Sequence, residues 1–181
     1  MRPTEELRRD HRVIERVLKA LERIVQAAQR GGALDTVSLR QALEFSRVFV
    51  DACHHRKEER CLFPCLEGRG IPKEGGPIGV MLAEHQQGRE LVRQITAALS
   101  AYATSGGSAG DILTLCGAYS ALLRQHIFKE DNILFAMGEA VMSPADDGQT
   151  ETCFQGAEGD LPAGTHQSME ELAAGLQAKY P

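Results

Sequence analysis

The chain has no tryptophan, and its only aromatic side chains are three tyrosines and six phenylalanines. With so few aromatics and almost no β-branched runs, a sheet is disfavoured. No stretch approaches the roughly 18 consecutive apolar residues of a membrane span. The N-terminus, Met1-Arg2-Pro3-Thr4-Glu5-Glu6, is charged at once and lacks the apolar core of a secretion signal. Acidic and basic residues are interspersed, with a net charge of -5, so the clustered positive face of a nucleic-acid binder is missing. A cytoplasmic protein with no nucleic-acid or membrane partner is the expectation. There is no Cys-x-x-Cys pair, which argues against a zinc ribbon or thioredoxin-like motif. Five cysteines are an odd number in a chain large enough to fold without staples, so free thiols are expected rather than a disulfide framework.

What is present suffices for one domain with a real core: 181 residues, 43% of them hydrophobic and 25% charged. Glycine and proline divide the chain into four long segments: 4–30 and 36–63, which contain neither, then about 77–104 and about 110–142. Each is too long for a strand. Leu7, His11, Ile14, Leu18, Leu21 and Val25 recur at helical spacing in the first, and Ile78, Met81, His85, Gly88, Val92, Ile95 and Leu99 in the third. Thr4 ahead of Glu5 and Glu6 reads as a helix start, and Ser38 with Gln41 has capping-box spacing. Amphipathic segments joined by short loops predict an all-α fold, an antiparallel up-down four-helix bundle over residues 1–143. The stretch 144–164, rich in Gly, Asp, Glu and Thr, reads as a loop. Residues 165–178 suit a short amphipathic helix through Met169, Leu172 and Leu176, so 144–181 is expected to form an arm packed on the bundle.

The two halves repeat. His54-His55-Arg56-Lys57-Glu58-Glu59-Arg60-Cys61-Leu62-Phe63 matches His126-Ile127-Phe128-Lys129-Glu130-Asp131-Asn132-Ile133-Leu134-Phe135 as His-x-x-Lys-Glu-acid-x-x-Leu-Phe, without a gap. Upstream, Asp10-His11 corresponds to Glu84-His85. Each half therefore supplies one histidine from its first helix and a His-x-x-x-Glu from its second, whose two side chains share a helix face. Counted from the hairpin turns at ~1.5 Å per residue, His11, His54, Glu58, His85, His126 and Glu130 fall within about one helical turn of a single level. Their heptad neighbours are apolar, so all six face inward. Buried without partners they would be very costly, and a metal satisfies them all. Four imidazoles and two carboxylates exceed one tetrahedral zinc and suit two ions bridged by the carboxylates. Mixed nitrogen and oxygen ligation favours iron, with manganese as the alternative. An oxo or hydroxo bridge brings each ion to about five ligands, leaving roughly one open position for a diatomic or peroxidic molecule.

At these residues the sequence resembles the hemerythrin-like HHE cation-binding family. The likeness covers about residues 4–140 through Asp10-His11, His54-x-x-x-Glu58-Glu59-x-x-Leu62-Phe63-Pro64, Glu84-His85 and His126-x-x-x-Glu130-Asp131-x-x-Leu134-Phe135. It implies a four-helix bundle holding two non-haem iron ions, with His11, His54, His85 and His126 as terminal ligands and Glu58 and Glu130 bridging. The family's oxygen carriers place a second histidine one turn after the third-helix histidine, where this chain has Arg89. They use an aspartate five residues after the last histidine, the spacing of Asp131, for which Glu130 competes. One histidine fewer shifts the expectation from oxygen storage toward sensing or reactivity. The segment Phe154, Glu158, Gly164 and His166 is similar to a tail found in part of the family.

Other side chains carry weaker expectations. His55, adjacent to His54 and about 100° round a regular helix, is expected beside the site or at the surface, with replacement of His54 as the alternative. Tyr119 is either a core aromatic or a hydroxyl near the metals. Gly88 either leaves space at the open position or permits close packing. Cys61 and Cys65 continue the His54/Glu58 stripe and read as small core residues, with a redox role as the alternative. His166 reads as an ordinary polar residue unless the arm folds back onto the site. The functional expectation is a non-haem di-iron protein that binds or reacts with O2, NO or peroxide, as a sensor or a redox and stress-response protein. An iron donor for the repair of iron centres and an enzyme consuming peroxide or NO are the alternatives, and a bundle without stoichiometric metal is the bland one.

Overall fold

The computed structural model describes residues 2–105 and 107–181. Met1 and Gly106, the latter one of two glycines expected to end the third segment, lie outside them. The described residues form helices and no strand: α1 (Pro3–Gln29), α2 (36–68), α3 (Pro77–Ser105), α4 (109–141), α5 (Pro144–Gly159) and α6 (Thr165–Lys179). None is long and apolar enough to cross a membrane.

The segment boundaries follow the punctuation closely, but the caps differ. Helix α1 starts at Pro3, whose missing N–H costs nothing at a first turn, and the Glu5 carboxylate accepts from the Arg2 amide at 3.0 Å. Thr4 lies inside the helix, with its hydroxyl given to Glu139 at 2.7 Å. Helix α2 is capped by Asp35, which accepts from the Ser38 amide at 3.0 Å, so Ser38 is the capped residue and not the cap. The same helix runs past Pro64 to Gly68. Proline there has no N–H to donate, but it falls in the first regular turn after a register change. That change is a wider π-helical turn over Glu58–Leu62, preceded by a longer π-helical stretch over Ser46–His55 and matched in α4 by one over Glu130–Leu134. Such i→i+5 turns are uncommon and gather at functional sites. Here all three lie on the segments that carry the repeat.

Two apolar clusters divide the interior. The larger joins Ile14, Leu18 and Leu21 of α1 to Leu39, Phe45 and Phe49 of α2, Val92, Ile95 and Leu99 of α3, and Ile112, Cys116 and Leu123 of α4. The smaller joins Leu7, Leu62, Phe63, Leu66, Met81, Leu134, Phe135 and Phe154. Fully buried Phe and Leu side chains of this kind contribute about 1.5–3 kcal/mol each relative to exposure. Helix α4 packs along α1 and α3, while α2 packs on both α1 and α3. Between the two clusters lies the polar layer contributed by α1–α4.

The segment 144–164, expected as a loop, is largely helix α5. Pro144 sits in its first turn, and Ser143 and Asp146 exchange reciprocal capping bonds, the Ser143 amide donating to Asp146 at 2.8 Å. Tertiary contact completes it: Thr150, Phe154 and Ala157 are buried although the segment as a whole is polar. The expected last helix is present as α6, which lies across α1 and α2 with Ala173 and Leu176 buried. The expectation that every cysteine is free is overturned, because Cys61 of α2 and Cys153 of α5 form a disulfide. Cys53, Cys65 and Cys116 remain free thiols. No spacing rule pairs residues 92 apart, and only the docking of α5 brings them together. Reduction of this bond is expected to lower stability by about 2–4 kcal/mol, because it restricts a long loop in the unfolded chain. Urea unfolding of oxidised and reduced chains measures the difference, and equal midpoints would contradict it.

Candidate metal centre

The repeat places its histidines in facing pairs. His11 and His54 approach with Nε2 atoms 3.0 Å apart, and His85 and His126 with theirs 3.2 Å apart. All four rings are buried. Glu58 reaches both pairs, its two oxygens 3.4 Å from His54 Nε2 and 3.4 Å from His85 Nε2. Glu130 does the same from the other side, with Oε2 3.2 Å from His11 Nε2 and 3.3 Å from His126 Nε2. The six residues singled out from the sequence thus converge on one buried centre.

Each ring is held from behind by a carboxylate. His11 Nδ1 donates to Asp131 at 2.8 Å, His54 Nδ1 to Asp10 at 3.3 Å, His85 Nδ1 to Glu59 at 2.7 Å, and His126 Nδ1 to Glu84 at 3.0 Å. A cation holds each carboxylate in turn. Lys57 lies 2.9 Å from Asp10, Lys129 bonds Glu84, Arg89 bonds Glu59 at 2.7 Å, and Arg12 bonds Asp131. The acid after each repeat glutamate (Glu59, Asp131) therefore orients the histidine of a first helix, and the acid before each first-helix histidine (Asp10, Glu84) orients that of a second. The lysine of the His-x-x-Lys-Glu motif closes the chain. Two phenylalanines repeat as well, Phe135 stacked on His11 and Phe63 on His85.

This outer shell determines what the inner atoms can do. Ionised carboxylates only accept, so their partners fix the rings with hydrogen on Nδ1 and a lone pair on Nε2. Four imidazole lone pairs and the oxygens of Glu58 and Glu130 then face one another. None of those four oxygens has a hydrogen-bond partner, and both carboxylates are 0% exposed. Buried acceptors without donors are costly, and a divalent cation is the group that satisfies them. The field of these carboxylates favours positive charge at the centre: burial opposes charge on His11, yet Asp131 and Glu130 push it up to about 10, so that without a cation Nε2 takes a proton, which a metal ion would displace. At His85, burial is likewise outweighed by Glu58 and Glu59, which push it up to about 9.

Of the two places expected for His55, beside the site or at the surface, the fold gives the first. It is buried, stacked on His85 with ring centroids 3.7 Å apart and set edge-on to His126 at 5.7 Å. It ends the π-helical stretch Ser46–His55, and its ring faces His85 and His126 while that of His54 faces His11. Burial, followed by the neighbouring His85, holds His55 well below its ordinary value, so its ring is neutral. Two sets of ligand-type atoms result, each within 4.8 Å: His11, His54, Glu58 and Glu130 in one, and His55, Glu58, His85 and His126 in the other. The only sequence signal for His55 was adjacency to His54.

The arm also reaches the centre. His166 of α6 lies 3.3 Å from Asp10, the carboxylate behind His54, and packs on Phe49. Glu158 of α5 bonds Lys57 at 3.0 Å, and Phe154 lies beneath the same ammonium. Gly164 takes φ of 82° ahead of α6, a left-handed conformation suited to glycine. Arg89 turns outward to Asp51 and Glu59. Tyr119 is buried in the upper core, where burial raises its hydroxyl above the usual range and Ser46 is its hydrogen-bond partner.

Lys57 is fully buried among Glu6, Asp10 and Glu158, whereas Lys129 keeps 30% of its side-chain exposure. Replacing Lys57 with Met is expected to destabilise the chain by about 3–5 kcal/mol, since it strands buried Asp10. Lys129→Met is expected to cost less than about 1 kcal/mol. Chemical unfolding of both variants checks the contrast, and equal losses would contradict it.

Comparison with known proteins bears on the same residues. A family model described as the hemerythrin HHE cation binding domain matches residues 2–138. The chain is 30% identical over 140 residues to the uncharacterized protein Rv1995 of Mycobacterium tuberculosis (strain H37Rv), covering 77% of this chain and 54% of that protein. It is 34% identical over 115 residues to the iron-sulfur cluster repair protein YtfE of Edwardsiella ictaluri, covering 61% of this chain and 48% of that one. The chain thus spans about half the length of the curated relatives it matches. No solved structure matches it significantly. Since the family model extends over the whole region from α1 to the end of the second repeat, the chain belongs to the hemerythrin HHE cation-binding family.

Proposed function

We propose that the chain is a non-haem di-iron protein whose centre binds or reacts with a small oxidant: O2, NO or peroxide. The observation that carries this reading is the set of four orphaned carboxylate oxygens on Glu58 and Glu130, facing imidazole nitrogens of both histidine pairs. In this reading α1–α4 are an antiparallel up-down four-helix bundle spanning 1–143, and 144–181 is its arm. His11 and His54 hold one ion, and His85 and His126 hold the other. Glu58 and Glu130 are shared, and Asp131 orients His11 instead of ligating. His55 supplies the third imidazole that position 89 lacks. Two bound irons would supply redox exchange with a small ligand at an open position. The protein's own part is to fix the ring orientations from behind, hold the two inner carboxylates between the histidine pairs and exclude bulk water.

Access supports a small ligand. A cleft of about 410 Å3 opens between α2 and α3, lined by Val50, His55, Gly88, Val92, Tyr119 and Leu123, and His55 links it to the centre. A Cβ at Gly88 would sit in ordinary contact 3.9 Å from Tyr119, so a longer side chain there would project into the cleft. The similarity to an iron-sulfur cluster repair protein favours, as a second reading, delivery of iron from this centre to damaged iron centres.

Anaerobically purified protein is expected to carry two irons per chain and to gain charge-transfer bands on exposure to air or NO. Glu58→Ala and Glu130→Ala should lower the count toward one or none, His55→Ala should weaken one ion only, and Asp131→Asn should retain two. Elemental analysis with optical spectra reads all four, and two tightly held ions in both glutamate variants would overturn the bridging assignment. Reversal of the bands under argon marks a carrier or sensor, whereas loss of iron to an apo iron-sulfur acceptor marks the repair reading. Gly88→Leu, which fills the cleft, should slow band formation with azide or NO at least several-fold with the iron count unchanged; an unaltered rate would place the entry route elsewhere.

A further inference from the structure

Three of the five cysteines line one surface groove. Cys61 and Cys65 lie one turn apart on α2, and Cys153 of α5 crosses to bond Cys61. The groove, of about 370 Å3, is walled by Arg60, Arg69, Gln149 and Thr150. Its cysteines differ in exposure as residues: Cys153 is exposed, Cys65 half-buried and Cys61 buried. The guanidiniums at its rim bond Asp160 and Asp146, each at 2.6 Å, yet their side chains stay 57% and 48% exposed. Cys53 and Cys116 lie away from it, and burial pushes those thiols up to about 11 and about 12.

We propose that this groove is a thiol–disulfide exchange site for a small thiol bearing carboxylates, with Cys153 as the sulfur attacked and Cys65 as the resolving thiol. Attack follows access, so the incoming thiolate bonds to Cys153 Sγ, the Cys61–Cys153 bond breaks, and Cys61 leaves as a thiolate that takes up a proton. The mixed disulfide then has two fates. Cys65 thiolate attacks Cys153, forming Cys65–Cys153 and releasing the small thiol, with no net redox change. Alternatively a second small thiol attacks the adduct, so that two thiols are oxidised to one disulfide while Cys61 and Cys153 are reduced. Arg60 and Arg69 attract the carboxylates. Cys61 shares a π-helical turn with Glu58, and α5 carries Glu158 onto Lys57, so isomerisation shifts the tie between α5 and α2 by one turn away from the metal-site residues, whereas reduction unties the two helices.

The test reads sulfur alone and is independent of the metal reading. Full-length disulfide-bonded protein is incubated with reduced glutathione at neutral pH, quenched with N-ethylmaleimide and mapped by peptide mass spectrometry. The expected products are glutathione on Cys153 with maleimide on Cys61, and a Cys65–Cys153 peptide, while Cys53 and Cys116 stay unlabelled. In Cys65→Ser the cross-linked isomer disappears and the Cys153 adduct persists several-fold longer. Arg60→Gln with Arg69→Gln should slow the reaction with glutathione several-fold but leave that with uncharged 2-mercaptoethanol unchanged. An intact Cys61–Cys153 peptide under conditions that reduce an exposed control disulfide would overturn the site. So would labelling of Cys53 and Cys116 at the same rate, because that would mark global unfolding. Absence of the Cys65–Cys153 isomer would remove the resolving role.

Discussion

The structure turns on two carboxylates buried without donors. Glu58 and Glu130 sit between two apolar clusters, each facing imidazole nitrogens from both halves of the chain. An apolar interior would ordinarily protonate or expel such groups. What keeps them is a charge ladder that alternates outward: inner carboxylate, imidazole, outer carboxylate, cation. Every rung of the outer shell is filled, and the one rung without a partner is the innermost. That imbalance is the physical reason for assigning a cation to the centre.

The ladder also explains why the repeat motif is longer than its ligand-type residues. A His-x-x-x-Glu pair alone would put two groups on one helix face. The added lysine and second acid are spent on the neighbouring helices, where they hold Asp10 or Glu84 and His11 or His85. Each half therefore orients rings that its sequence neighbours do not carry. The Leu-Phe that ends the motif closes the layer from below, with Phe63 and Phe135 stacked on the rings they cover.

Departures from two-fold symmetry are where the two halves acquire different roles. Helix α6 lies across α1 and α2, and His166 adds a contact to Asp10 that Glu84 does not receive. On the other side no helix of the arm lies over the gap between α2 and α3, and the cleft there ends at His55. His55 has no counterpart in the second half, where Ile127 follows His126. One half of the centre is thus braced by helix α6, and beside the other half a cleft reaches His55.

Much was legible before any coordinates. The all-helical class and the limits of α1, α3 and α4 follow from Gly and Pro punctuation and 3.6-residue periodicity, which are local properties. The convergence of His11, His54, Glu58, His85, His126 and Glu130 follows from residue counts, because helical rise is constant and the hairpin turns are short. Where chain-local rules were outweighed by contact, the sequence misled. A polar segment became α5 because its few apolar residues found a surface, and Cys61 met Cys153 only through that docking. His55 is buried beside the centre because His85 and His126, on two other helices, supply the rings it packs against. Asp131 and Glu130 could not be ranked by spacing, since either reaches the layer; the fold separated them by giving Asp131 the ring of His11 and Arg12. The sequence by itself determined which residues meet and at what level. Only the tertiary structure decided which of two neighbours turns inward, because that depends on partners supplied by other helices.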